Sequence, residues 1–152
     1  VLGEDCAAWC DALLEGRTIR VRHPAARGVF VHPLDIVCCG LTLGARAFRC
    51  GEGGVYNIGT DERSIGTRQS VARRLAMRHD GAGTAQEETE DGASPAQLLD
   101  GSAARRLCGA ACRLDVDQAL DLLFEQRRAA RAGQEEVAIR RMTRTYLEGC
   151  RA

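Results

Sequence analysis

The residues best suited to chemistry are a group of basic and amide side chains at two turns. Arg22, Arg27 and His32 fall within the run Arg22-His23-Pro24-Ala25-Ala26-Arg27-Gly28-Val29-Phe30-Val31-His32-Pro33-Leu34-Asp35, and Asn57 follows in Val55-Tyr56-Asn57-Ile58-Gly59. Guanidinium groups near a helix N-terminus suit a phosphate, because unpaired amides and the helix dipole favour an anion and arginine can grip it with two hydrogen bonds. An asparagine beside a glycine turn at Gly59-Thr60-Asp61 could hold a ribose or phosphate, or simply close the turn on its own backbone. A second kind of chemistry is offered by eight cysteines, four of them in the pairs Cys6/Cys10 and Cys108/Cys112. At that spacing two thiols share a helical face. Zinc sites usually set their cysteines two to four residues apart in turns, with knuckle glycines or ligand-spaced histidines that this sequence does not supply, so packing is the simpler reading, with a thiol-metal helical protein as the unrelated alternative. Cys38, Cys39 and Cys50 also read as packing, and without a secretion signal disulfides are not expected.

Other chemistry is excluded by what the 152 residues lack. All 21 basic residues are arginine, so Schiff-base catalysis, a phosphate-binding lysine and a Tyr-x-x-x-Lys pair are ruled out within this sequence. The 21 acidic residues balance the 21 arginines, leaving no overall field to recruit nucleic acid or an anionic membrane. With 45% hydrophobic residues, no apolar run long enough to span a bilayer and no signal-like start, the expectation is one globular cytoplasmic domain.

Elements must hold those side chains in place. Thr18 to Arg22 alternates like a half-buried strand, stopped by Pro24. Pro33 opens a helix expected over about 34–49, with Leu34, Val37, Cys38, Leu41 and Ala45 on one helical face. Upstream, 1–5 reads as loop and 6–15 as a helix closed by Gly16, burying Ala7, Trp9, Cys10, Leu13 and Leu14. Downstream, 55–58 reads as a short strand and 64–78 as a helix with Ile65, Val71, Leu75 and Met77 apolar, capped by His79 against its dipole. The segment 81–96 is glycine-flanked and acidic, a solvated loop. Leu98-Leu99 resumes as a strand, and Asp100 or Ser102 caps a helix to about Cys108. Asp115 caps a helix over 116–131 that Gly133 stops, and a last helix over about 135–147 presents Val137, Ile139, Met142, Tyr146 and Leu147. Tyr146 has no lysine partner and reads as structural.

The run Arg22-x-Pro24-x-Ala26 followed by His32-x-Leu34-Asp35 resembles the C-terminal half of CDP-glucose 4,6-dehydratases, a branch of the extended short-chain dehydrogenase/reductases (the NAD-dependent epimerase/dehydratase family). Val55 to Gly59 is similar to the Tyr-Asn-Ile-Gly turn of those enzymes. Leu99-Asp100-Gly101-Ser102 through Leu107-Cys108-Gly109 resembles their Leu-Asp-Ser-Ser-Lys-Ala to Leu-Gly-Trp segment. Asp117 to Leu120 and Arg131 to Gly133 keep the family's spacing, so the resemblance runs along nearly the whole chain.

The resemblance implies an α/β, helix-rich fold: the substrate-binding C-terminal lobe with a few short strands, 1–152 as one unit, lacking most of the Rossmann sheet. It implies a nucleotide-diphosphate sugar as ligand, held by Arg22, Arg27, His32 and Asn57, within an NAD-dependent lyase of deoxysugar biosynthesis. The family's catalytic Tyr-Lys pair and dinucleotide turn lie upstream of the matching region. This chain is therefore expected to be a fragment, without catalytic or cofactor residues of its own, inactive alone and partnered by a Rossmann lobe or an intact dehydrogenase. Gly51 to Gly54 and Gly81 to Gly83 do not fit Gly-x-Gly-x-x-Gly. A scaffold derived from the lobe is the alternative. In an ungapped comparison the family's phosphate-binding arginine falls on Gly28 with Arg27 one place early, Phe30 stands for Trp, Ala103 for Lys and Ala110 for Trp. A one-residue bulge would restore Arg27 to the phosphate. A lobe alone should also expose the apolar face that meets the sheet.

Overall fold

The computed structural model describes residues 2–51, 53–58, 65–79, 86–88, 100–108 and 114–149. Its elements in order are α1 (Leu2–Leu14), β1 (Arg20–Arg22), β2 (Arg27–Val29), α2 (Pro33–Cys50), β3 (Ile65–Thr67), α3 (Arg68–Arg78), β4 (Gln86–Glu88), α4 (Ser102–Cys108), α5 (Val116–Arg131) and α6 (Glu135–Gly149). The strands form two separate two-stranded ladders. β1 runs parallel to β4, and β2 runs antiparallel to β3.

The core lies where α1, α3 and α5 pack together over β1. Cys6, Trp9 and Cys10 of α1 meet Val71, Ala72 and Leu75 of α3 and Val116, Ala119 and Leu120 of α5, with Ile19, Val21 and Phe30 alongside. Each set recurs at three- and four-residue spacing, which puts it on one helical face. Trp9 also donates its indole N–H to the carbonyl of Arg20 at 3.0 Å, pinning α1 to β1. At the rim, Arg127 on α5 holds Asp11 on α1, Arg131 holds Glu15, and Arg78 on α3 donates through Nε to Asp121 at 2.8 Å.

Helix ends follow their capping chemistry. Asp115 accepts from the Gln118 amide at 2.8 Å while the Gln118 side chain accepts from the Asp115 amide at 3.1 Å, a complete capping box. Gly133 lies at φ 67 just past α5, where a side chain would be strained. Asp100 caps α4 by accepting from the Ser102 amide at 2.8 Å.

Several sequence expectations are corrected. α1 begins at Leu2, not after Asp5, which puts Asp5 in the first turn, where a carboxylate suits the helix's positive pole. The helix expected over 64–78 is a strand and then a helix. Ile65 and Thr67 are β-branched and join β2, while the Thr67 hydroxyl accepts from the Ser70 amide at 3.1 Å and starts α3 there. Gly66 allows this tight corner, since a Cβ would come within 3.1 Å of Ser70 Oγ and Val71 Cγ2.

Residues 55–58 form no strand: among the described residues no other strand pairs with them, and Val55 is fully exposed. Conversely, 86–88 within the expected solvated loop is the parallel partner of β1, with Glu88 in register opposite Arg22. Met77, Val137, Ile139 and Leu147 point to solvent, leaving Met142 and Tyr146 as the seated residues of α6. Cys50 is exposed rather than packed. His79 is the C-cap of α3, as expected; its ring also stacks on Phe124 with centroids 3.7 Å apart and lies 3.4 Å from the Asp121 carboxylate, and burial pushes its pKa down against that carboxylate's pull. The expected turn at 59–61, strand at 98–99 and residue Cys112 lie outside the described residues. Among the described residues, no helix is long and apolar enough to cross a membrane.

Candidate functional site

The candidate site is the corner from β1 through β2 into the first turn of α2. β1 ends at Arg22, and His23 takes a left-handed backbone (φ 51) so that the chain reverses, with the Ala26 amide donating to the His23 carbonyl at 2.9 Å. Pro24 and Ala26 then offer their carbonyls to the amides of Gln69 and Arg68, locking the turn against the start of α3. β2 follows in a regular ladder: Arg27 pairs with Thr67, Gly28 with Gly66 and Val29 with Ile65. All three pairs are in register, so the bulge that would move Arg27 into the Gly28 position is not there. Arg27 is nevertheless exposed, as is Arg22.

His32 ends the corner and is buried, with 3% of its surface exposed. Its Nδ1 accepts from the Leu34 amide at 3.2 Å, and its carbonyl accepts from the Asp35 and Ile36 amides at 2.9 and 3.3 Å. Pro33 has no amide hydrogen to offer. The terminus expected to present free amides to an anion is therefore already satisfied by His32, and the groups left facing outward are guanidiniums. Accepting at Nδ1 requires the neutral ring protonated at Nε2, and burial lowers the His32 pKa, opposed by the nearby Asp35 carboxylate. Nε2 itself is buried without a protein partner.

Asn57 lies apart from this corner in sequence, beyond the C-terminal end of α2. It is exposed and its side-chain amide donates to the Asp100 carbonyl at 3.3 Å, tying it to the start of α4, which packs along α2. Arg27 and His32 thus share one β2–α2 connection, Arg22 stands on the β1–β4 ladder, and Asn57 is held at the α4 entrance.

Sequence reasoning missed the central polar contact here. Tyr146 Oη, on α6, donates to Asp35 Oδ1 at 2.7 Å, and the two residues are 5% and 1% exposed. Burial drives the Tyr146 pKa well up, and the hydrogen bonds to Asp35 and Cys38 push the same way. The hydroxyl is a fixed donor, not an acid that works near neutrality. An acidic residue in a first turn reads as a dipole partner on the surface, so nothing in the local pattern marks Asp35 as buried.

The thiols of α1 are placed for packing. Cys6 and Cys10 are fully buried in α1; burial pushes the Cys6 thiol up, and that of Cys10 up to about 12. Such thiols stay protonated and are poor nucleophiles. Among the described residues, no three His, Cys, Asp or Glu side chains come together as a metal site. Nor do the described glycines fit a dinucleotide: Gly51, Gly53 and Gly54 follow the C-terminal end of α2, whose pole repels a pyrophosphate.

No protein-family model matches the chain, and no curated protein does. Solved structures do. One is UDP-glucuronic acid 4-epimerase from Bacillus cereus, in complex with NAD, at a TM-score of 0.61 and 14% identity. The match covers 77% of this chain and 36% of that chain, so the present sequence corresponds to about a third of that enzyme's length. What the likeness shows is a shared fold, helix-rich with short strands, over part of that enzyme's structure.

Proposed function

We propose that this chain is the nucleotide-sugar-binding part of an NAD-dependent epimerase/dehydratase-type enzyme, with CDP-glucose as substrate and 4,6-dehydration as the reaction. The observation that carries the reading is the fold shared over 77% of the chain with a nucleotide-sugar epimerase. The choice of CDP-glucose rests on the sequence resemblance around Pro24, His32 and Tyr56-Asn57-Ile58.

In this reading Arg22 and Arg27 meet the diphosphate, since both are exposed at the β1–β2 turn and each guanidinium can grip two phosphate oxygens. Asn57 contributes its free carbonyl oxygen, its N–H being engaged with Asp100. His32 serves the grip by holding the first turn of α2 in place rather than by touching the ligand. NAD, when bound, would accept and return a hydride. The described residues offer it no cradle and the 152 residues no Tyr-Lys pair, so that chemistry belongs to another part of the enzyme.

Calorimetric titration of CDP-glucose, CDP and UDP-glucose into the chain tests the reading. Binding of both cytidine compounds is expected, with UDP-glucose weaker. Arg27→Ala and Arg22→Ala should each cost about tenfold, roughly one charge-assisted contact. Failure of all three compounds to bind would end the proposal; tighter binding of UDP-glucose would keep the class and reject the cytidine assignment.

A further inference from the structure

We infer that α2 is a self-association face, pairing with α2 of a second copy of this chain about a twofold axis that passes between Gly40 and Gly44, level with Thr42 along the helix. This goes beyond the nucleotide reading and does not depend on it.

Among the described residues, α2 buries side chains on one side only. Asp35 and Cys39 are buried and Leu43 and Ala47 half-buried, whereas Ile36 is 49%, Val37 55%, Leu41 71% and Phe48 92% exposed. These four share a helical arc, and the residues from Ile36 to Ala45 carry no charge apart from the helix itself. An exposed apolar stripe of this kind marks an interaction surface.

The pattern along the stripe identifies the occupant. Ile36, Gly40, Gly44 and Phe48 form one ridge at a spacing of four, large-small-small-large, and that order is the same read in either direction about Thr42. Two antiparallel copies centred there set Gly40 against Gly44 and Ile36 against Phe48. Helices packed through such ridges cross at about −50°, closest at the centre and diverging outward. Glycine at the centre permits the close approach, and the large side chains fill the widening ends. A Cβ built at Gly40 or Gly44 meets nothing within 4 Å in the single chain, so the notch serves no internal packing. A self-complementary surface is what a twofold interface requires.

The size suffices. With an exposed aromatic side chain at about 200 Å² and aliphatic ones somewhat less, the four offer about 500 Å² per copy. A pair then covers about 1,000 Å², where specific interfaces begin. Equal acidic and basic totals, 21 each, leave no net repulsion between copies. A lipid surface is less well matched, because a glycine notch at the centre of the stripe removes the apolar area that lipid insertion would use.

Sedimentation equilibrium of the 152-residue chain, from about 1 to 100 μM, tests the pairing, with dimerisation at micromolar to sub-millimolar concentration expected for an interface of this size. The expected mass is twice the 16.4 kDa of one chain. Leu41→Glu should raise the dissociation constant more than about 100-fold, since a symmetric pair loses the anchor twice. Gly44→Ala supplies the discriminating sign: it should raise the melting temperature of the dilute monomer, alanine being the better helix former, while weakening the dimer. A monomer throughout, a dimer indifferent to both variants, polydisperse aggregates, or a monomer that binds anionic vesicles or another polypeptide through this face would each overturn the inference.

Discussion

Replacing Tyr146 by phenylalanine removes one oxygen and leaves the ring in place. The lost atom is the donor that reaches Asp35 Oδ1 at 2.7 Å across 111 positions of sequence. Asp35 stays buried, so water cannot take over the bond, and a hydrogen bond to a charged group is worth about 1.5–3 kcal/mol. For a chain of this length each kcal/mol shifts the melting temperature by about 2–4 °C, so Tyr146→Phe should lower it by roughly 3–12 °C. Asp35→Ala, which removes the acceptor, completes a double-mutant cycle with Tyr146→Phe, and the two losses should be strongly non-additive. Hydrogen exchange locates the damage. Protection should fall in α6 and in the first turn of α2 while α1, α3 and α5 keep theirs, because Met142 is the other large buried side chain seating α6. A loss below about 0.5 kcal/mol, or additive losses, would show that the phenol and carboxylate do not fasten α6 to α2.

Stability should fall as pH drops below about 6.5. His32 and His79 both have folded pKa values below the ordinary histidine value, chiefly through burial, so the unfolded chain binds more protons in that window and acid favours it. Urea titrations between pH 8 and 5 should show the decline, and His32→Asn, which keeps a capping side chain, should flatten it; an unchanged slope would refute the assignment. Leu120→Ala, at a fully buried position among α1, α3 and α5, should cost about 2–5 kcal/mol by chemical denaturation. Arg127→Ala should cost less than about 1 kcal/mol, because Asp11 and Arg127 are partly open to solvent, and the loss should shrink in high salt.

Elements whose signals are local were legible in the sequence. Asp115 with Gln118 announces the start of α5, Gly133 its end, and the apolar spacing of Val116, Ala119, Leu120 and Phe124 its buried face. What failed to show was pairing between distant segments. Residues 86–88 are polar and acidic, with none of the composition of a strand, and are one only because β1 runs beside them. At 64–68, Ser64 and Thr67 are equally good caps, and the choice between them is made by β2, which takes Ile65 to Thr67 into its ladder. On α2 the spacing groups Leu34, Val37, Cys38, Leu41 and Ala45 on one face, yet Val37, Leu41 and Ala45 are exposed, since periodicity tells which residues share a face and not whether anything lies against it.

That limit bears on the candidate site as well. Arg22, Arg27 and Asn57 remain outward, but His32 is built into the fold, and its imidazole and carbonyl use up the amides that a helix start would otherwise offer an anion. With the backbone contribution spent, any grip on a diphosphate at this corner falls to side chains. Guanidinium contacts at exposed positions weaken with salt, whereas amides directed from a buried helix terminus do so much less. CDP affinity measured at 50 and 500 mM salt should therefore fall steeply, by about tenfold or more, and the slope should halve in Arg27→Ala. A salt-independent affinity would mean that backbone amides elsewhere hold the phosphates, and that Arg22 and Arg27 are bystanders.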